Sequence, residues 1–277
     1  MTGIRGGRII DPVSGKDFIG DLILENGTIK AVGEQLNLDG CEDIIEAAGM
    51  AVAPGLVDVH VHFRDPGLTY KEDILTGAHA AAAGGFTTVV CMANTKPVID
   101  NAETLQYVLN KGKETGIHVL SCACVTKGMQ GKELVDMDAL RAAGAAGFTD
   151  DGIPILDEEV LKAALIKAEE LQVPVSLHEE DPSFIKNNGV NHGAVSEQLG
   201  IYGSPSIAEE SLVARDCMIA LHSGADVVMQ HISSGRSVDI IRHFKSLGAN
   251  IHTEATPHHF TLTDEAVLTY GTLAKMN

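Results

Sequence analysis

No apolar stretch of this sequence is long enough to span a bilayer, and its first residues lack the layout of a secretory signal peptide. The expectation is a cytoplasmic protein with no membrane partner. Positive charge is scarce: 20 Lys and Arg stand against 38 Asp and Glu, a net charge of −18. The basic residues are scattered, so a nucleic-acid partner is not expected, because phosphates would be repelled. The acidity itself reads as solubility. Paired cysteines are missing as well. Cys41, Cys91, Cys122, Cys124 and Cys217 are odd in number and contain no Cys-x-x-Cys, which points to reduced thiols. Cys122 and Cys124 alternate along a strand without a second pair and read as packing residues. No motif supports a Ser or Cys nucleophile, and no Gly-rich loop is set to cradle phosphate.

What the chain does have is enough length for a full core and an excess of histidine, 12 in 277 residues. Residues 1–52 read as a small β unit of sandwich-like character. Asp21–Glu25 and Thr28–Val32 flank Asn26-Gly27, a strong hairpin signal. These few strands hold too little core to stand alone. From residue 53 to 277 the pattern alternates strands with helices, the signature of a parallel sheet. Seven such strands are expected, ending near His62, Met92, Cys122, Asp151, His178, His231 and Glu254. A (β/α)8 TIM-type barrel has eight, so the barrel reads as incomplete. Helices are expected over 71–83, 102–115, 138–143, from 157, over 208–222 and over 238–247. A long Gly-, Asn- and Pro-containing loop, 179–206, is expected to cover the mouth.

Within Pro54–Gly67, His60 and His62 stand two positions apart on one strand, so both imidazoles point to one side and can chelate one ion. Arg64 follows where a substrate anion could sit. In β/α barrels functional residues gather at the carboxyl ends of strands, and His178, His231 and Asp151 occupy such ends. Four histidines and a carboxylate there suit one or two zinc-like ions. Asp150 and Asp151 could each supply the carboxylate; Asp151, beside Gly152, is preferred. His258 and His259 are expected to shape the pocket, and the remaining histidines to be ordinary surface or packing residues.

At these positions the sequence resembles the dihydroorotases of the longer bacterial type, in the amidohydrolase superfamily. The matching pieces are Pro54–Gly67, Met92–Pro97, Thr149–Gly152, Leu177–Asp181, Gln230–Ser233, Glu254–His259 and Lys275–Asn277, in family order along the whole chain. The resemblance implies reversible, zinc-dependent cyclisation of N-carbamoyl-L-aspartate to dihydroorotate in pyrimidine biosynthesis, with a metal-bridging hydroxide as nucleophile. It implies a binuclear centre: His60 and His62 at one ion, His178 and His231 at the other, Asp151 between them. Arg64, Asn94 and Asn277 match the positions that grip the substrate. Related hydantoinases and allantoinases bridge with a carboxylated lysine, and no lysine occupies that strand tip here. The family pattern continues past Lys-Met-Asn into an eighth strand carrying the general acid/base Asp, which would lie beyond residue 277; the chain is therefore expected to be a fragment. A homodimer is expected from the family. Two alternatives stay open: a hydantoinase or allantoinase, and a catalytically silent scaffold for aspartate transcarbamoylase.

Overall fold

A computed structural model describes residues 1–186 and 189–276. The chain divides into two compact units, Met1–Leu56 and Val57–Asn277.

The first unit is one mixed sheet. Strands β1 (Thr2–Asp11), β2 (Lys16–Glu25) and β3 (Thr28–Gly33) form an antiparallel meander, and β4 (Asp43–Glu46) and β5 (Ala51–Val52) pair parallel to β1. The β2–β3 turn is Asn26-Gly27, with φ of 51° and 74°. Both residues are left-handed, as the two-residue turn that follows the strand twist requires. Asp21 is buried and accepts from the Gly6 and Leu36 amides, tying the sheet to the segment after β3.

The second unit runs β6 (Leu56–Val61), α1 (Ile74–Ala83), β7 (Phe86–Cys91), α2 (Ala102–Gly112), β8 (His118–Ser121), α3 (Met137–Ala142), β9 (Phe148–Thr149), α4 (Glu158–Glu170), β10 (Val175–Leu177), α5 (Ala194–Gln198), α6 (Ile207–Ser223), β11 (Val227–Met229), α7 (Gly235–Ser246), β12 (Ile251–Thr253), α8 (Pro257–Thr261) and α9 (Ala266–Tyr270). The strands form two sheets, β6-β7-β8 and β9-β10-β11-β12, joined by a parallel bridge between Ala123 and Phe148. Spatial order therefore follows sequence order, as the wall of a β/α barrel winds. The seven strands among the described residues match the number expected, and the wall is a partial barrel. No helix among the described residues is long and apolar enough to cross a membrane.

The core lies between these strands and the helices outside them. Val89, Val119, Phe148, Val175, Val227 and Ile251 from the strands share one buried cluster with helix residues such as Leu105, Leu161, Leu165, Val213 and Phe244. Strands enclosed in this way read as near-continuous apolar runs, which is why they were visible in the sequence. The helices start where side chains cap them: Asp73, Asn101, Asp136, Asp157 and Ser234 each accept from an amide of the first turn of α1, α2, α3, α4 and α7. Ser234 starts α7 three residues ahead of the expected Val238. The amphipathic pattern marks where a helix begins to bury its face, and the cap marks where its backbone begins.

Two loops on the carboxyl side are locked together. Asp65, after β6, is buried and accepts from Tyr107 Oη at 2.9 Å and Lys111 Nζ at 2.6 Å, both on α2. Lys96, after β7, donates its amide to the Pro66 carbonyl at 3.0 Å. Gly67 makes that approach feasible: its φ is +90°, and a Cβ there would lie 1.8 Å from the Lys96 carbonyl oxygen. Gly67→Ala is expected to lose roughly 3 kcal/mol, from left-handed strain of about 1–2 and overpacking of about 1–3. Gly248→Ala also sits at positive φ but meets open space, so about 1–2 kcal/mol is expected. Urea midpoints of the two variants check the order.

Candidate metal centre

The five side chains predicted as metal donors come from four strand ends. His60 is in β6 and His62 one residue past it; Asp151 follows β9, His178 follows β10 and His231 follows β11. Strand periodicity of two puts His60 and His62 on one side. The other three converge because parallel strands all end at the same mouth.

Specific ring atoms meet. His60 Nε2 lies 3.2 Å from His62 Nε2, and His178 Nδ1 lies 3.0 Å from His231 Nε2. Asp151, 3% exposed, stands between the pairs: Oδ1 is 3.5 Å from His60 Nε2 and 3.8 Å from His178 Nδ1, and Oδ2 is 3.4 Å from His62 Nε2. The result is two donor sets, His60-His62-Asp151 and Asp151-His178-His231, sharing one carboxylate.

The nitrogens facing away from the centre identify which ring atoms carry protons. Asn94 Nδ2 donates to Asp151 Oδ2 at 2.8 Å and to the Asp151 carbonyl at 3.1 Å, which leaves Asn94 Oδ1 facing His62 Nδ1 at 3.1 Å. An amide oxygen only accepts, so His62 carries its proton on Nδ1. His60 Nδ1 lies 2.5 Å from Glu254 Oε1, again an acceptor. His178 Nε2 lies 3.5 Å from Glu180 Oε2. The inward nitrogens of His60, His62 and His178 are thereby left as lone pairs, facing each other, His231 and a carboxylate. Such an arrangement attracts a cation, and outer carboxylate or amide acceptors of this kind are what hold metal-ligating histidines in place.

Electrostatics agree. Burial disfavours charge on His60, but the Glu254 hydrogen bond and charge, with Asp151, outweigh it and raise its pKa. His62 is lowered, mainly by burial, with Arg64 and His60 adding repulsion. His231 is pushed down to about 4 by burial and by its neighbours His178 and His60. The Glu180 carboxyl is lowered chiefly by its bond to His178.

Asp150 has a different job. Its buried carboxylate accepts from the Val125 and Thr126 amides at 2.8 and 3.1 Å and from Thr126 Oγ1, anchoring the segment after β8. Arg64 and His231 both have left-handed backbone, φ +57° and +35°. Non-glycine residues held this way cluster at functional sites. The His231 turn is fixed on both sides, by Gln230 N to Leu177 O at 3.0 Å and Ile232 N to Glu254 O at 2.9 Å.

The donors open into a cleft of about 1180 Å³ whose lining includes Arg64, Glu254 and His259, with Ile185, Val190 and Ser204 of the long 179–206 loop. Described residues of that loop border the mouth. His258 bonds Thr256 Oγ1 at 2.8 Å; it and His259 line the cleft without joining the donor sets. Asn277, expected at the substrate, lies outside the described residues. Glu254 and Glu180 were not singled out in the sequence. The available signal was position alone, since Glu254 directly follows the seventh strand.

A partial β/α barrel gathering four histidines and one aspartate at its strand ends is an amidohydrolase-type scaffold. Comparison with known proteins narrows this. Residues 49–237 match the family described as dihydro-orotase-like, and the chain belongs to that family. A dihydroorotase of Clostridioides difficile (strain 630) is 58% identical over 277 residues, 100% of this chain and 66% of that protein. One of Clostridium acetobutylicum is 49% identical over 277 residues, 100% of this chain and 65% of the relative. The chain thus spans just under two thirds of these curated relatives. Among solved structures, an L-hydantoinase (dihydropyrimidinase) from Arthrobacter aurescens superposes with a TM-score of 0.79 at 19% identity, covering 98% of this chain and 61% of that one. A D-hydantoinase gives 0.76 at 21% identity, with 97% and 60% coverage. At those identities the likeness establishes the fold.

The His231 ring provides a pH test. Its folded pKa lies below the ordinary 6.5, so as pH falls from 6.5 towards about 4 the unfolded chain takes up the proton first and this ring withdraws stability. His60, with a raised pKa, has the opposite sign. In the metal-free protein the His231 ring-proton resonance, assigned by its absence in His231→Gln, is expected to titrate near pH 4. A midpoint near 6.5 would contradict the cluster geometry.

Proposed function

We propose that the chain carries the metal centre of a dihydroorotase, interconverting N-carbamoyl-L-aspartate and dihydroorotate in pyrimidine biosynthesis. The observation that supports this best is the set of inward lone pairs. His60 and His62 present bare Nε2 atoms to Asp151 because Glu254 and Asn94 occupy their other nitrogens. In this reading His60, His62 and Asp151 hold one zinc ion, and Asp151, His178 and His231 hold a second. When bound, the ions supply Lewis acidity toward the ring amide and a nucleophile at neutral pH.

The protein's own contribution is orientation. Arg64, at the same mouth, can pair both oxygens of the substrate carboxylate through its planar fork. Such a group favours dihydroorotate over hydantoin or allantoin, which offer no carboxylate to that fork. Asn94 is already committed at both ends, to His62 and to Asp151, so it holds the donors at least as much as the substrate. Asn277 is assigned to substrate by family resemblance. Five free cysteines fit a reducing, cytoplasmic setting, with burial pushing the Cys91, Cys122 and Cys217 thiols up to about 12. The reading extends to a homodimer and to association with aspartate transcarbamoylase, both accessible by sedimentation of the protein alone and mixed with that enzyme.

The test is dihydroorotate turnover before chelation, after it, and after zinc is restored. Turnover that vanishes and returns supports the proposal. Zinc-loaded protein that opens hydantoin but not dihydroorotate would assign the sister activity instead. Zinc binding with neither substrate turned over would overturn the enzyme reading for this chain and leave a metal-holding fragment or the silent scaffold. Arg64→Met is expected to leave zinc stoichiometry unchanged. It should raise KM for dihydroorotate roughly 10- to 150-fold, the equivalent of losing a charged hydrogen-bond pair of about 1.5–3 kcal/mol.

A further inference from the structure

Glu254 has no part in the donor sets, yet it touches both halves of the centre. Its carboxylate Oε1 meets His60 Nδ1 at 2.5 Å across 194 residues of sequence. The contact is sheltered, with the two side chains 17% and 13% exposed. The root of Glu254 is fixed by backbone: its amide donates to the Met229 carbonyl at 3.2 Å, and its carbonyl accepts from the Ile232 amide at 2.9 Å. Those two bonds bracket the left-handed His231 turn. One residue therefore orients the His60 ring by its side chain and pins the His231 turn by its backbone.

We propose that Glu254 is a positioning residue that selects the Nδ1–H tautomer of His60 and so keeps Nε2 bare for a metal ion. A neutral imidazole has one proton for two nitrogens, and the acceptor at one nitrogen decides where it sits. Without that acceptor, the competing acceptors stand at Nε2: the bare His62 Nε2, 3.2 Å away, and Asp151 Oδ1, 3.5 Å away. A proton placed there would occupy the direction a metal needs. The backbone half of the role survives any side-chain substitution, so a variant at Glu254 isolates the tautomer effect. The inference rests on the metal-centre reading above, but its first test does not require metal.

The test uses the metal-free protein with 15N-labelled histidine at pH 8.5, where long-range 1H–15N correlations distinguish the two tautomers. The His60 signals are assigned by their loss in His60→Gln. Wild type is expected to show the proton on Nδ1. Glu254→Leu is expected to shift it toward Nε2, and Glu254→Gln, which keeps an accepting oxygen, to retain it on Nδ1. Zinc competition against a chromogenic chelator then reads the consequence. Glu254→Leu should weaken binding roughly 10- to 100-fold, as outer-shell losses do, and Glu254→Gln only a few-fold. A wild-type proton on Nε2 would overturn the inference, and this result stands even if Glu254→Leu fails to fold. Equal losses in the Gln and Leu variants would also overturn it, because charge or packing would then be at work. Wild type that binds no zinc while showing the Nδ1 proton would sink the metal reading and leave the tautomer assignment intact.

Discussion

The constraint on which the centre depends is the crowding of lone pairs around Asp151. Two imidazole nitrogens lie 3.4 and 3.5 Å from its oxygens and 3.2 Å from each other. None of the three groups can donate to the others, because each imidazole has its proton on the outward Nδ1 and the carboxylate carries none. Buried electron pairs left in this state cost free energy unless a positive charge joins them. The raised pKa of His60 is the same demand met by a proton. Asn94 makes the arrangement rigid: its amide can face only one way, since both neighbours of Nδ2 are acceptors.

Bringing these groups together requires a scaffold whose strand ends converge, and loops that cannot drift. The parallel order of β6 to β12 supplies the first. Buried polar anchors supply the second. Asp65 holds the loop that carries Arg64 onto α2, and Asp150 holds the segment after β8, leaving Asp151 free to face inward. Adjacent aspartates thus divide the work, one fixing backbone and the other facing the centre. Their burial is similar, 4% and 3% exposed, so exposure alone does not separate them; their partners do.

Much of this was legible in the sequence because it rests on local periodicity. Apolar runs ending in His, Asp or His-x-His gave the strands and the donors together, and Asn26-Gly27 gave its hairpin. Legibility fails where a role depends on a distant partner. Glu254 reads as an ordinary acidic residue after a strand until His60, 194 positions earlier, is placed beside it. Asn94 was read from family resemblance as a substrate residue. Its bonds to His62 and Asp151 depend on how the loops after β7 and β9 meet, which no spacing along the chain encodes. Helix starts were displaced for a related reason: hydrophobic periodicity registers packing, whereas Ser234 starts α7 through a single hydroxyl.

The left-handed backbone at Arg64 and His231 shows how the fold sustains such a site. Each such residue costs about 1–2 kcal/mol. The fully buried Leu161 and Leu165, on the helix outside β9 and β10, contribute about 1.5–3 kcal/mol apiece by leaving water. Two ordinary core leucines therefore offset both strained residues. The strain is local, and it is held by backbone bonds on either side of His231 rather than by the imidazole itself. The ring's direction is thus set before any ion arrives. In a site assembled this way, less of any binding energy goes into ordering the protein.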